Sequence, residues 1–297
     1  MTRTAISPRL AIRIFFSTGA NVGGVSHTPG IDEPDGPDPG HVRHRSWLVT
    51  TVAETGSTND DLLRAATRGG LPDRSVLRTD HQTAGRGRLD RRWDAPPGSN
   101  LLASVFFADP QGHPTELLQR VGAAIVRAVR SLHANDVDHA SSSAMAPARA
   151  SPEQLATLGL KWPNDVLFDG RKLAGVLALR LSTVAGGLVV GFGVNVGWAP
   201  PEGARTEEIC RAQPAVLLLS ILDAFDALPA DREVFGEIYR HELLTLGQRV
   251  RVHLPLEETF DGVAHATDVH GRIMVRSVSG VERVFDVGDV VHLRPGN

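Results

Sequence analysis

A glycine- and arginine-rich segment at residues 81–93, HQTAGRGRLDRRW, has the composition of an anion-binding loop. Its glycines allow the backbone to approach a ligand closely, and Arg86 and Arg88 carry guanidinium groups that bind carboxylate or phosphate oxygens in pairs. Trp93 closes the segment and could stack on a planar base. No Gly-Lys-Ser/Thr follows, so the segment is not a P-loop. By itself it fits an anion-binding loop and a solvent-exposed basic hairpin equally well.

A second polar cluster lies in KWPNDVLFDGRKLAGV, residues 161–176. We expect a strand to end at Trp162 and the following proline to force a turn. Asn164 and Asp165 then project beyond the strand end, where ligand-binding side chains often lie. FDGRK predicts a hairpin turn with Lys172 at the start of the next strand. A lysine there faces either solvent or a cleft, and the sequence alone favours solvent.

A third glycine-rich stretch, GFGVNVG at residues 191–197, resembles a dinucleotide fingerprint but has the wrong spacing. It reads G-x-G-x-x-x-G, and no helix clearly follows. We interpret Gly191 and Gly193 as strand positions that another group approaches closely. Asn195 then lies near the strand end, where it could bind phosphate or a magnesium shell.

Composition and the remaining motifs exclude several classes of protein. The chain has 297 residues and a net charge of −3, which argues against a surface built wholly for nucleic acid. Its single cysteine, Cys210, rules out an internal disulfide, and none of the twelve histidines shows a zinc-ligand spacing. Ser57 lies outside any G-x-S-x-G motif. No run of about 18 apolar residues predicts a membrane span, so we expect a soluble cytoplasmic protein.

The chain divides by texture into a leader, a large domain and a small domain. Residues 1–45 are rich in Pro, Gly and Asp in their second half and predict a disordered leader. Residues 46–246 alternate between strand and helix patterns, interrupted by a low-complexity stretch at 138–156 that predicts a flexible surface insertion. Residues 247–297 contain five short strands separated by turns, which predict a small β-barrel.

The periodicity of the apolar residues places the individual elements. Strands are predicted at 46–54, 75–80, 100–107, 158–162, 173–181 and 187–196, and in the small domain at 248–254, 259–268, 272–278, 281–287 and 290–295. Helices are predicted at 57–70, 114–134, 214–225 and 232–244. For the helix at 57–70, Ser57 or Thr58 is a suitable N-cap and Gly69 a suitable terminator.

Seven segments, taken in order, resemble the biotin protein ligases. They are STND at 57–60, QTAGRGR at 82–88, Trp93, GSNLLASVFF at 98–107, KWPNDV at 161–166, RKLAGVL at 171–177 and GFGVNV at 191–196. The strong match spans residues 49–196, and residues 247–297 resemble the family's SH3-like domain more loosely. The resemblance implies an α+β fold with a central mixed or antiparallel sheet and helices, followed by a small C-terminal SH3-like β-barrel.

The resemblance also implies a two-step reaction. The carboxylate of biotin attacks the α-phosphate of ATP and gives biotinyl-5′-AMP and pyrophosphate. A lysine of a biotin carboxyl carrier domain, of the acetyl-CoA carboxylase type, then attacks this mixed anhydride. Biotin and ATP are the substrates, and Mg²⁺ is expected with the phosphates.

The family's functional residues carry over by motif. As catalytic residues the resemblance implies Arg86, Arg88 and Lys172. For biotin binding it implies Ser57, Thr58, Asn59, Gln82, Gly85, Arg86, Lys172 and Gly175. For ATP binding it implies Arg88, Trp93 (on the adenine side), Asn164, Asp165 and Asn195. Asp165 is also a candidate for the Mg²⁺ shell and for accepting the proton of the incoming lysine, whereas Arg91 and Arg92 fit pyrophosphate contact and solvent exposure equally well.

Several alternatives stay open at this stage. The polar segment before Trp47 is too short for a three-helix DNA reader, so we expect no nucleic-acid partner. Because no long apolar run is present, we also expect no membrane partner. The family includes monomers and dimers, and we expect a monomer or a weak homodimer. A lipoate or octanoyl ligase shares the catalytic fold, but GRGR and KWPND favour biotin. A biotin- and nucleotide-sensing regulator without turnover is a further alternative, against which Lys172 and the loop arginines argue.

Overall fold

The computed structural model describes residues 40–88, 91–110, 114–140, 150–181, 187–254, 258–286 and 289–293. Its largest feature is an eight-stranded sheet. The strands are β1 (Gly40–His44), β2 (Trp47–Thr55), β3 (Ser75–Gln82), β4 (Leu101–Phe107), β5 (Gly159–Lys161), β6 (Asp165–Phe168), β7 (Arg171–Arg180) and β8 (Leu188–Val194). They lie in the order β1-β2-β3-β4-β8-β7-β6-β5. Only β2 and β3 pair in parallel, so the predicted mixed sheet is confirmed.

Helices cover this sheet where the apolar periodicity predicts them. They are α1 (Thr58–Arg68), α2 (Pro114–Ala140), α3 (Pro152–Leu155), α4 (Pro214–Asp226) and α5 (Arg232–Glu242), with a 3₁₀ helix at Thr206–Glu208. Ser57 caps α1 by accepting a hydrogen bond from the Asp60 amide at 3.4 Å, and Gly69 ends it with φ +83°. The central apolar residues of α2, such as Ile125 and Val129, are fully buried against the core.

The C-terminal strands form a second sheet that shares the main hydrophobic core. They are β9 (Arg249–His253), β10 (Thr259–Thr267), β11 (Ile273–Arg276), β12 (Glu282–Phe285) and β13 (Asp289–His292). All five are antiparallel, in the order β12-β11-β10-β9-β13. The five predicted strands are confirmed. Within the described residues no hydrogen-bonded ladder joins β12 to β13, an arrangement compatible with the predicted SH3-like domain.

The two sheets meet at Trp162, which is 1% exposed. Its indole Nε1 donates to the carbonyl oxygen of Gly271 in the C-terminal sheet at 3.1 Å. Its backbone amide donates to Thr245 Oγ1 at 3.0 Å, and His292 of β13 lies 3.2 Å from the same hydroxyl. The residues just after Trp162 are therefore held from the side of the C-terminal sheet.

Two of the predicted segment boundaries are wrong in part. β1 lies within the predicted leader and pairs with β2 throughout its length, so residues 40–45 belong to the folded domain. This edge strand forms backbone hydrogen bonds to β2 but buries little side-chain surface, and Val42, for example, is 59% exposed. Because the described side chains of β1 form no buried apolar face, the apolar pattern did not predict it. The predicted insertion at 138–156 is likewise helical at both ends, because α2 runs to Ala140 and α3 starts at Pro152. Residues 1–39 and 141–149 lie outside the described residues.

Among the helices of the described residues, none is long and apolar enough to cross a membrane.

Burial, with a smaller effect of Lys161, lowers the pKa of His292 to about 4. Between about pH 6.5, the ordinary pKa of histidine, and about pH 4, His292 is therefore protonated in the unfolded chain and neutral in the folded chain. We expect the free energy of unfolding to fall as the pH drops through this window, and to fall less steeply in His292→Gln. Urea denaturation at several pH values measures this. His253→Gln, at an exposed position of β9, is the control; equal slopes in wild type and His292→Gln would contradict the assignment.

Candidate functional site

A cavity of about 460 Å³ opens above the middle of the large sheet. Every residue predicted for the site lines it except Gly85. The residues brought together are Ser57, Thr58, Asn59, Gln82, Arg86, Arg88, Trp93, Asn164, Asp165, Lys172, Gly175 and Asn195. They come from α1, β3, β6, β7, the end of β8 and the arginine-rich loop, so residues distant in sequence line the same cavity.

Gly85 packs behind the cavity wall instead of facing the cavity. Its carbonyl oxygen accepts a hydrogen bond from the Trp93 amide at 3.0 Å. A Cβ atom at this position would overlap the carbonyl oxygen of Trp93. The glycine is therefore required for closing the loop, and its predicted contact with biotin has no support from its position.

One end of the cavity is an uncharged hydrogen-bond network. The Thr58 amide donates to Gln82 Oε1 at 2.9 Å, and Thr58 Oγ1 lies 2.7 Å from Ser104 Oγ. Ser104 donates in turn to Asn59 Oδ1 at 2.7 Å. These bonds use the amide oxygens of Asn59 and Gln82. Within the described residues no hydrogen bond uses their side-chain NH₂ groups, which are left for an acceptor in the cavity.

The floor of the cavity is backbone, because glycines occupy the strand positions beneath it. A Cβ atom on Gly191 would overlap the side chain of Asn59, and one on Gly193 would overlap the indole of Trp93. Gly175 on the neighbouring strand lies under the same indole, where a Cβ atom would stand 3.3 Å from Trp93 Cζ3. The predicted close approach at Gly191 and Gly193 is thus confirmed.

The centre of the cavity is cationic. Lys172 Nζ lies 2.7 Å from Asp165 Oδ1 and 5.5 Å from the centre of the Trp93 ring. Arg88 Nη1 donates to Asn164 Oδ1 at 3.2 Å, and Asn164 Nδ2 donates to the Val176 carbonyl at 3.1 Å. Lys172 therefore faces the cleft, although its position in the sequence alone favoured solvent.

The arginine-rich loop folds back on itself over this centre. Gly87 N donates to the Arg91 carbonyl at 2.6 Å, and Arg86 and Arg92 form an antiparallel bridge. Arg86 also forms an ion pair with Asp60 of α1, and Arg92 forms one with Asp94 at 3.0 Å. The sequence offered a basic hairpin and an anion-binding loop as alternatives, and in the structure the segment is a hairpin that also lines the cavity.

Asn195 lines the cavity, but its side chain is committed to the protein. Nδ2 donates to the carbonyl oxygens of Lys172 at 3.2 Å and Ala204 at 3.1 Å, and Oδ1 accepts from Asn100 at 3.4 Å. The residue is 3% exposed. Its observed part is to hold the backbone of Lys172, which differs from the phosphate or metal contact predicted from sequence.

Several residues that line the site were not predicted from the sequence, among them Ser104 and Trp198. Ser104 is the one hydroxyl in the wholly buried strand LLASVFF, and a polar residue in such a strand signals a specific partner. Trp198 directly follows the third glycine motif, and no helix or strand periodicity in the sequence indicates that it faces the cavity. Among the described residues no group of three or more His, Cys, Asp or Glu is placed to hold a metal ion.

Comparison with known proteins gives this arrangement a family. Residues 53–195 match the model of the biotin/lipoate A/B protein ligase family. A biotin–[acetyl-CoA-carboxylase] ligase of Mycobacterium tuberculosis is 38% identical over 260 residues, covering 83% of this chain and 89% of that protein. The chain belongs to the biotin/lipoate protein ligase family.

Solved structures of ligases share the fold. Biotin protein ligase from Aquifex aeolicus in complex with biotin and ATP has a TM-score of 0.62 at 23% identity, covering 83% of this chain and 98% of that one. Biotin protein ligase from Leishmania major in complex with biotinyl-5-AMP has a TM-score of 0.52 at 25% identity, covering 80% and 98%. These matches show that the fold is shared over about four fifths of the chain.

In this family member, we expect Ser104→Ala to destabilise the fold. The change leaves Asn59 Oδ1 without its hydrogen-bond donor, whereas Thr58 Oγ1 keeps its bond to Gln82 Oε1 at 3.1 Å. An unsatisfied buried acceptor costs about 1–3 kcal/mol of unfolding free energy. Urea denaturation measures it. Ser99→Ala, which removes a hydroxyl from an exposed turn, is the control and should cost less than about 0.5 kcal/mol. A loss no larger at Ser104 than at Ser99 would show that the Ser104 hydroxyl does not stabilise the fold.

Proposed function

We propose that this chain is an ATP-dependent biotin–protein ligase. It would attach biotin, through biotinyl-5′-AMP, to a lysine of a biotin carboxyl carrier domain. The observation that carries the proposal is a single cavity in which an uncharged amide and hydroxyl network adjoins a lysine–arginine centre. The biotin ligases among its relatives support the choice of biotin within the family.

The uncharged end suits the ureido ring of biotin. The ring is neutral, so hydrogen-bonding side chains without charge match it better than ions do. The NH₂ groups of Asn59 and Gln82 are donors left over for its carbonyl oxygen. The glycines at 191 and 193 let Asn59 and the Trp93 indole lie directly against the sheet, which leaves the space above these side chains for the ligand.

The cationic centre suits the first chemical step. A carboxylate oxygen of biotin forms a bond to the α-phosphorus of ATP, and the bond from this phosphorus to the bridging oxygen of pyrophosphate breaks. Both reactants are anions, so fixed cations must offset their repulsion and the charge of the transition state. We assign this role to Lys172 and Arg88, which line the centre of the cavity, with a contribution from Arg86.

The second step transfers the biotinyl group. The amine of the carrier lysine attacks the acyl carbon, AMP leaves, and the amine gives up a proton. Asp165, beside Lys172, is the carboxylate we assign to accept that proton. The arginine-rich loop lies over the centre and would shield the reactive anhydride from water.

Mg²⁺ would enter with the triphosphate. The cavity carboxylates are Asp94, Asp165 and Glu202, and within the described residues they do not form a three-ligand group. This sparse set fits an ion held mainly by phosphate oxygens and water with one protein carboxylate, for which Asp165 is our candidate. When bound, the ion would neutralise the leaving pyrophosphate.

The direct test is transfer of labelled biotin to a purified biotin carboxyl carrier domain. We expect an amide-linked label on one lysine when ATP is present and none when it is omitted. Pyrophosphate exchange with biotin, compared with lipoate and octanoate, separates a biotin ligase from its nearest relatives. Exchange without transfer would instead indicate a sensing protein that holds the adenylate.

We expect Lys172→Ala to reduce biotin-dependent pyrophosphate exchange by at least about 100-fold, in line with removal of one transition-state donor. The chain offers a matched control, since its other lysine, Lys161, does not line the cavity. Lys161→Ala should retain exchange within about threefold. Wild-type exchange in Lys172→Ala would remove this residue from the mechanism.

A further inference from the structure

One wall of the cavity is a short segment that follows β8, residues 198–203, which we term the wall segment. It presents Trp198, Pro200 and Glu202 to the cavity. Its far end is anchored, because Ala204 and Thr206 are fully buried. What holds the wall segment at Gly203 determines where this wall stands.

Arg171, at the start of β7, holds the segment there. Its Nη1 donates to the Gly203 carbonyl at 3.0 Å, and its Nη2 donates to Glu208 Oε2 at 2.5 Å. Glu208 also accepts from the Arg205 amide at 2.8 Å, so its carboxylate is tied to the backbone just beyond Gly203. The fork of one guanidinium thus fixes both the wall segment and the 3₁₀ helix behind it.

The same region holds Lys172 from the other side. Ala204 N donates to the Lys172 carbonyl at 2.9 Å, and Lys172 and Gly203 form a parallel bridge. The positions of the wall segment and the reactive lysine are therefore coupled through two neighbouring residues, Arg171 and Lys172.

The wall segment adjoins the part of the cavity that remains for a nucleotide base. The uncharged network occupies one end and the cations suit the phosphates, so the base must lie against a remaining wall. Trp198 offers an aromatic face on this wall, in addition to Trp93, for which the resemblance implies the adenine side, and aromatic faces bind bases by stacking. This placement of the base rests on the proposed function, because it takes ATP as the second ligand.

We propose that Arg171 and Glu208 are positioning residues that set the nucleotide-side wall of the cavity. Neither Arg171 nor Glu208 lines the cavity. They place Gly203, and with it the wall segment, at the distance from Lys172 that ATP requires.

The charges and exposure of the pair agree with this role. Burial alone would raise the pKa of Glu208, but hydrogen bonds from Arg171 and the Arg205 amide outweigh it and hold the pKa below its ordinary value. Both groups are therefore charged at neutral pH. Their side chains are 37% and 25% exposed, and ion pairs this accessible add little stability. Their loss should consequently appear in ligand binding more than in folding.

The test compares Arg171→Met and Glu208→Gln with Arg205→Met. Arg205 is the matched control, since its guanidinium lies 3.7 Å from the same carboxylate but does not bond to Gly203. In pyrophosphate exchange we expect the KM for ATP to rise about tenfold in the first two variants, with the KM for biotin within about twofold of wild type. Arg205→Met should stay within about twofold for both, and Arg171→Lys should recover part of the loss.

Direct binding of a non-hydrolysable ATP analogue gives a second readout that needs no turnover. We expect the same order, with Arg171→Met and Glu208→Gln weakened about tenfold and melting temperatures close to wild type. An unchanged KM and affinity for ATP, or an equal rise for ATP and biotin with a large fall in melting temperature, would overturn the assignment. If wild type binds the analogue but shows no biotin-dependent exchange, the proposed function fails while the binding comparison still decides the role of the pair.

Discussion

Three glycines in adjacent strands determine how closely other groups approach the centre of the large sheet. Asn59 stands against Gly191, and the indole of Trp93 lies over Gly193 and Gly175. A side chain at any of these positions would displace or crowd Asn59, Trp93 or Lys172, all of which line the cavity. The uncharged network and the cationic centre adjoin one another because these side chains lie close against the strand backbone, and the remaining features of the site are arranged around them.

Charge around this floor is balanced locally. Lys172 lies beside Asp165, Arg86 beside Asp60 and Arg92 beside Asp94. Such pairs let several cations share a small volume without strong mutual repulsion, and each carboxylate can yield its partner to a more highly charged ligand. The arrangement suits a ligand whose own anionic groups are multiple, as the proposed reaction of a carboxylate with a triphosphate requires.

The backbone around Lys172 shows how a motif depends on residues outside it. Asn195 and Ala204 both bond to the Lys172 carbonyl, and Trp162 is fixed by Gly271 of the C-terminal sheet. The loop, the strands and the small sheet thus contribute to one site although each has its own sequence signature. Rigid supporting contacts of this kind are what hold functional groups in productive geometry.

Sequence by itself determined the family and the order of most helices and strands, and nearly all the site residues that it predicted line the cavity. It did so because apolar periodicity and the glycine motifs are local properties of the chain. The edge strand β1, the hydrogen bonds that hold the Asn195 side chain, and the part of Ser104 were decided only by the tertiary structure. Each depends on which distant group comes within hydrogen-bonding distance, and the pairing of Arg171 with Glu208 across 37 positions of the chain is of the same kind. No local pattern encodes such a contact, because the two residues become neighbours only after the chain has folded.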